Sequence, residues 1–440
     1  MATIQRIIRE KPALITFFIL LSGLYAGTEI NIKFLLIGLV SSLLIYLFIR
    51  KDPLLLILLA LSASIYQGSR RPIKWERLFF SGFYIDNRVI DPVFGELRVN
   101  LPLPQGCFVT GSGEYIEWKS IRRLVDWKIK RRYPTPLNKL FRIRDLLDKK
   151  IERSIPGDVG KMCSAILLGR REKLPSYLYK RFQTCGAAHL LAVSGLHTGI
   201  VFTVIFVFLS VIRLKRKVRL ILSCLIVSLY ALITGLRLPV LRASIMLWFF
   251  IIGEIGEKNI DSFNTLSGAG IFIVLLMPGS VYSISFQLSF LAVFSMLIMF
   301  KALENQLRMI PNNWFKNWFV TPLLVTLSAQ LGTLPLVAYY FGYIPLFGLV
   351  ANIILVPLVG TLISGIFMLW LLPFLEVIIG NFVWSVGFLM NKFMIFLENI
   401  PYSVVKIREG DGRIFIAYTI LLIFIIYWGY RKKQVPNQLI

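Results

Sequence analysis

Gly186-Ala-Ala-His-Leu-Leu-Ala-Val-Ser-Gly-Leu-His-Thr-Gly-Ile-Val201 is apolar enough to enter a bilayer, yet it carries His189, Ser194, His197 and Thr198 and is interrupted by Gly195 and Gly199. Polar and ionisable groups at membrane depth are costly, so they face a bundle interior or a water-filled path. The chain has 2 histidines, and both lie in this stretch. A helix that loosens near Ser194 and Gly195 would turn freed backbone N–H groups toward an anion, as discontinuous transporter helices do. Gly195 and Gly199 also form a GxxxG spacing, which by itself speaks for close helix packing. The residues alone leave the two readings level.

Outward from this stretch, the chain is mostly membrane-like. Its hydrophobic fraction of 56% exceeds that of an ordinary globular domain, and apolar runs of roughly 20 residues recur, so the expectation is an all-α polytopic membrane protein. About 10–12 transmembrane or re-entrant helices are expected, twelve segments in all. Three come first, at about Pro12–Gly27, Ile32–Ile49 and Pro53–Gly68. One follows from Ala187 to Ile212, then others at about Val218–Thr234, Pro239–Gly253, Phe263–Met277, Ile284–Phe300, Phe319–Tyr340, Leu346–Leu372, Glu376–Ile400 and Ile414–Tyr430. Basic residues mark short cytoplasmic loops. Arg6, Arg9 and Lys11, the loop Arg213–Arg219 and the tail Arg431–Lys433 therefore put both termini inside and Ser69–Cys185 outside.

The hydrophilic stretch after the third segment reads as a small extracytoplasmic β/α module. Its first half holds strand-like runs at Leu78–Ile85, Gly95–Leu101 and Cys107–Thr110, broken by Gly, Pro and Asn. Its second half turns helical: Ile143, Leu146, Leu147 and Ile151 mark an amphipathic helix over Arg142–Arg153, lying on a surface. Between Lys119 and Arg153 thirteen Lys/Arg face four acids, with Trp118, Trp127, Tyr133 and Phe141 interleaved. Phosphate neutralisation plus stacking platforms is what a single-stranded nucleic acid site needs. A basic interfacial helix on anionic lipid fits the same residues. The divisions expected are 1–68 (three spans), 69–141 (OB-like β module and basic linker), 142–186 (interfacial helices), 187–372 (core) and 373–440 (last spans and cytoplasmic tail). The net charge of +26 implies a polyanionic partner, either nucleic acid or acidic lipid headgroups.

Several spans carry buried polar groups: Arg242 after Pro239, Gln287 in Ser285–Phe290, Gln330 with Gly332 and Pro335, and Asn352 with Pro357. Freed backbone groups beside such breaks are tolerated where they line a cavity. Each alone is ordinary packing polarity; together they suggest a polar path. The four cysteines show no CxxC spacing, and no metal site or cofactor is expected. Cys163 and Cys185 both fall on the expected outer side, where a disulfide is chemically allowed.

These strings resemble the ComEC-type competence family, inner-membrane channels that bring single-stranded DNA into the cell. The resemblance runs through Leu167-Leu-Gly-Arg170, Phe182, Gly186 and His189 to Gly199, then Tyr230-Ala-Leu-Ile-Thr-Gly235, Pro239, Arg242-Ala243 and Met246. It continues through Asp261 with Asn264, Phe286–Ala292, Gln330–Pro335, Leu349–Asn352 and Val356-Pro357, covering about Asp145 to Leu372. Two features depart from the pattern: Pro239 is displaced by one position, and the external module is shorter than the family's OB-fold. With no histidine beyond His189 and His197, the metal-binding nuclease domain of full-length members is not expected, which makes this a channel-only form.

The resemblance implies a plasma-membrane channel for single-stranded DNA during natural competence, not an enzyme. His189, Ser194, Gly195, His197, Gly199, Arg242, Gln287, Gln330 and Asn352 would line the path. Arg122, Arg123, Lys128, Lys130, Arg131, Arg132, Arg170 and Arg171 would contact phosphates, with Asp261 and Asn264 a structural polar pair. A separate nuclease, a DNA-receptor protein and a cytoplasmic helicase or translocase would be partners, with anionic lipid and a homodimer also in view. Two alternatives stay open: transport of another anionic solute (lipid or polysaccharide), and a membrane nuclease, disfavoured because no His–carboxylate cluster has ligand spacing.

Overall fold

Val125, Trp127, Ile129 and Tyr133 alternate along a run that charge alone makes look like a linker, and that run is a strand. In the computed structural model β1 (Ile73–Ile85), β2 (Arg88–Asp91), β3 (Gly95–Arg98), β4 (Phe108–Trp118) and β5 (Ile121–Tyr133) close into a barrel of order β1-β2-β3-β5-β4. The structure describes residues 73–407 apart from gaps at 86–87, 92–94, 100–104, 106, 119–120, 134, 278–279, 282, 307–313 and 402. The three leading segments, the last segment and both termini lie outside the described residues.

The barrel is closed by a parallel pairing of Leu97 with Arg122 and Arg98 with Arg123, while its other pairings are antiparallel. Five strands in this order make an OB-type barrel. The module is therefore a complete barrel, and the expected basic linker is its fifth strand. Tyr84, Val89, Leu97, Val99, Cys107 and Val109 of the barrel region are buried, and Ile85 is buried against the helical bundle.

The helical part follows as α1 (Leu137–Ser154), α2 (Gly157–Leu168) and α3 (Ser176–Thr184), then α4 (Gly195–Val211), α5 (Arg216–Ile233), α6 (Leu238–Ile255) and α7 (Ser262–Leu276). The last four are α8 (Ile284–Gln306), α9 (Thr321–Phe341), α10 (Gly348–Leu371) and α11 (Glu376–Glu398). Short strands β6 (Tyr343–Pro345) and β7 (Val404–Lys406) pair beside the α9–α10 connection. The expected segments from Val218 to Ile400 all coincide with helices. Among the described residues four stretches are long and apolar enough to cross a membrane: α6, α9, α10 and Pro373–Glu398. Their outward residues are apolar; Phe374, Val377, Ile378 and Leu389 are among the most exposed.

One expectation is corrected: α1 and α2 do not lie on a surface. A Cβ on Gly380 of α11 would meet the Ser154 carbonyl oxygen at 2.7 Å, and one on Gly387 would meet Met162 Cε at 3.3 Å. Ser154 Oγ donates to Glu376 Oε1 at 2.6 Å. The α1–α2 hairpin thus runs along α11, its tip at the first turn of that helix. At the other end of α1, Phe141 packs with Ile85 of the barrel, Leu236 and Met277. The thirteen helical steps from Phe141 to Ser154 cover about 20 Å, most of a hydrocarbon core. The face buried is also not the expected one. Phe141, Arg144, Asp148 and Ile151 point inward, whereas Ile143 and Leu146 are 43% and 65% exposed. Small residues set the other close contacts: Gly365 receives Val383 between α10 and α11, and Gly332 receives Ser295 between α8 and α9. Gly332 therefore serves packing.

Candidate functional site

The segment from Ala187 to Ile212 is not one span. A 3-10 turn at Ala188–Leu191 ends in extended backbone, and α4 starts only at Gly195. The break thus falls at Ala192–Ser194, just before the stretch expected to loosen. Ser194 and His197 explain where the helix begins. They form a capping box: the Ser194 hydroxyl accepts from the His197 N–H, and the His197 ring accepts at Nδ1 from the Ser194 N–H at 3.2 Å. Because Nδ1 accepts, the neutral ring carries its proton on Nε2, beside the Leu190 backbone. Glutamate or glutamine usually fills this N3 role.

The N-terminus of α4 lies inside the bundle. Gly186 meets Gly348 and Pro345, where a Cβ would come within 2.8 Å, and a Cβ on Gly360 would touch Ile200 at 3.7 Å. Hence α4 and α10 run parallel with Ile200 level with Gly360. Gly195 is then level with Leu355, and α10 continues seven residues further to Gly348, about 10 Å. The chain descends that distance between Gly186 and Gly195 before turning helical. Gly195 is half-buried and Leu196 exposed at this helix start, whose first backbone donors need partners. The Gly195 and Leu196 N–H groups find none among the described residues.

Arg242 faces this point. Its side chain is buried, Nη1 donates to the Ser289 carbonyl, and the guanidinium stands over the Phe290 ring at 5.9 Å. A Cβ on Gly195 would lie 2.7 Å from Arg242 Nη2. Arg242 Nε has no hydrogen-bond partner among the described residues. A cation beside the positive end of a helix dipole is unfavourable unless an anion sits with it. The GxxxG reading fails here: nothing lies within 4 Å of a Cβ on Gly199, which is exposed, so Gly195 and Gly199 do not form one packing face.

Other path candidates fall into separate groups. Gln330 lies 3.5 Å from where a Cβ on Gly348 would be, and Asn352, one turn further along α10, buries an Oδ1 with no hydrogen-bond partner among the described residues. His189 is exposed. Gln287 is held away from it, accepting from the Tyr340 hydroxyl at 2.8 Å and donating to the Val281 carbonyl at 3.2 Å. Asp261 caps α7 by accepting the Asn264 N–H at 2.8 Å.

The expected phosphate contacts divide. Arg122, Arg123, Lys128, Lys130, Arg131 and Arg132 all lie on β5. Arg170 is enclosed by Asp145, Asp148 and Glu172, which commits its charge within the protein. Arg171 donates to the Leu191 carbonyl at 2.8 Å and holds the descending segment. Phe141, taken as a stacking platform, is buried under Arg144 instead. Cys163 and Cys185 are free thiols, as are Cys107 and Cys224, and all four are buried.

Two residues that sequence reasoning passed over tie the motifs together. The Tyr230 hydroxyl donates to the Leu167 carbonyl at 2.7 Å, and Arg237 Nη2 donates to the Gly169 carbonyl at 3.0 Å. Both satisfy carbonyls at the C-terminal end of α2, where donors and cations are favoured. Their position at either end of the Tyr230–Gly235 block was the available signal.

An OB-type barrel docked on an apolar bundle, with a half-helix that starts beside a buried arginine, defines a polytopic membrane protein. The chain belongs to the Competence protein family, whose family model matches residues 166–432. It is 26% identical over 272 residues to ComE operon protein 3 of Bacillus subtilis, covering 60% of this chain and 33% of that protein. It is 27% identical over 212 residues to Recombination protein 2 of Haemophilus influenzae, covering 45% and 26%. An uncharacterized protein of Aquifex aeolicus is 30% identical over 223 residues, covering 50% and 49%. The chain thus spans half or less of the length of these relatives. No solved structure matches it.

Proposed function

We propose that the protein conducts single-stranded DNA across the plasma membrane. A role in DNA uptake is supported by the competence relatives. The observation that carries the finer reading is Arg242 beside the open N–H groups of Gly195 and Leu196. This is an anion-attracting point inside an apolar bundle, where a passing phosphate would relieve the repulsion between guanidinium and helix terminus. In this reading the end bearing Arg213–Arg219 is cytoplasmic, as the positive-inside pattern argues. The barrel with β5 then receives the strand outside, and energy comes from a cytoplasmic partner. In this reading the described residues conduct the strand, and no catalytic turnover is assigned to them.

The test is uptake of labelled DNA in the host carrying Arg242→Gln in place of the native gene. Internalised strand falls at unchanged protein abundance and unchanged surface-bound DNA. Normal uptake with Arg242→Gln ends the reading. Uptake unaffected by complete deletion, with altered lipid or polysaccharide export instead, favours a different anionic cargo.

A further inference from the structure

We propose that the outward face of α1 is a wall of the strand's path at membrane depth. Arg142, Lys149 and Arg153 would take the phosphates of a single-stranded nucleic acid there. The inference rests on reading the chain as a strand conduit, and adds where the strand runs.

Three observations carry it. First, the α1–α2 hairpin is inserted: Phe141 is tied to Leu236 and Met277 at one end, and Ser154 to Glu376 at the other. The residues between them lie beside α11, a helix whose other side is clad in exposed apolar groups. Second, Arg142, Lys149 and Arg153 are exposed. Seven and then four residues apart, they fall on one helix stripe. None of the three forms an ion pair among the described residues. Lys149 lies between those ends, about 7 Å along the helix from Ser154, where its charged head needs water or an anion beside it. Third, the neighbouring ion network is open rather than enclosed. Asp145, Glu172 and Glu152 keep 53%, 46% and 38% of their side-chain surface exposed around Arg170 and Lys173, although Asp148 at its centre is buried. Carboxylates left open at bilayer depth need water beside them, which argues for a water-accessible crevice bounded by α1 and the Arg171–Lys173 turn. A polyanion is the occupant that three unpaired cations along one wall would attract. Ile143 and Leu146 beside them give its bases an apolar surface.

The experiment uses the full-length protein in sealed membrane vesicles. The four native cysteines are buried, so Lys149→Cys gives a low-background thiol reporter. A small membrane-impermeant thiol reagent modifies position 149 in intact vesicles. A single-stranded oligonucleotide slows that modification, and the protection fades with salt. In otherwise native protein, oligonucleotide binding then loses about 2 from its log–log salt slope when Arg142, Lys149 and Arg153 are all changed to Gln, at roughly 0.7 per phosphate contact. If position 149 is unreactive in intact vesicles but reacts after denaturation, the face is covered and the proposal fails while the conduit reading stands. If it is reactive but protected only by polyphosphate, with no oligonucleotide bound by the native protein, the nucleic-acid reading itself fails and takes the proposal with it.

Discussion

Gly195 and Arg242 occupy one point from two helices: a Cβ on Gly195 would lie 2.7 Å from Arg242 Nη2. The glycine is thus the space the guanidinium fills, at the helix start where Gly195 and Leu196 present N–H groups. Four residues on, a Cβ at Gly199 would meet nothing within 4 Å. The two glycines of the GxxxG spacing therefore have different reasons to be there.

That difference gives a matched pair of substitutions. Gly195→Ala pushes Arg242 from its place, and overpacking of this kind costs about 1–3 kcal/mol. The colliding atom is the end of a flexible side chain, so the loss is expected in DNA uptake more than in abundance. Gly199→Ala should change neither. Measuring internalised DNA and protein level together separates them, and equal effects from both would remove the distinction.

His197 has a structural duty that a path role must be weighed against. His197→Ala deletes half of the capping box and should lower stability by about 1 kcal/mol. Glutamine at N3 completes a capping box. His197→Gln should therefore restore the thermal midpoint of the purified protein. If His197→Gln is stable yet fails to take up DNA, the Nε2–H of the ring has a part in transport. If it is stable and active, capping is the whole role.

The Arg170 network offers a test of what joins the hairpin to the core. Asp148 is buried and contacts Arg170 at 3.5 Å and Lys173 at 2.5 Å. Arg170→Gln leaves Lys173 as a partner and Asp145 and Glu172 open to solvent. The loss should be about 2 kcal/mol, below the full cost of an orphaned buried charge. Asp148→Asn should recover part of that loss in the Arg170→Gln background. Thermal unfolding of the single and double variants in detergent reads the coupling directly. Additive effects would mean that the two side chains do not act as a unit.

Much of this was legible before any coordinates. Seven spans from Val218 to Ile400 are legible because an apolar helix in lipid needs only length. The competence strings located the glycines and Arg242. What escaped depended on tertiary partners. β5 was hidden because its Lys and Arg content outweighed the alternation of Val125, Trp127, Ile129 and Tyr133. The short strand β2 was missed because four residues carry little period. Ser194 with His197 went unread as a cap because histidine is an unusual N3 partner. Arg170 looked like a phosphate ligand because the carboxylates that neutralise it come from α1, more than twenty residues earlier, as well as from Glu172. The hairpin was taken for a surface helix because its charges resemble an interfacial face. Nothing in its own sequence says that Glu376 and Gly380 wait at its tip.

The depth of that hairpin is itself open to test. Pro156 is exposed at the tip, beside Gly157, whose positive φ of 75° makes the turn. With Ser154 at the first turn of α11, Pro156 should lie toward the same side of the membrane as the Arg213–Arg219 loop. A helix resting on the outer surface would put it with the barrel instead. Pro156→Cys and Lys215→Cys can be compared in intact cells and in inverted vesicles with an impermeant thiol reagent, the buried native cysteines giving little background. Both positions should react in inverted vesicles, and position 215 should be protected in intact cells. Labelling of position 156 in intact cells at the rate of a barrel position, with none in inverted vesicles, would return α1 and α2 to the surface. The crevice along α1 would then lose its membrane depth. Labelling of position 215 in intact cells would instead reverse the orientation of the whole bundle, leaving the packing of the hairpin against α11 untouched.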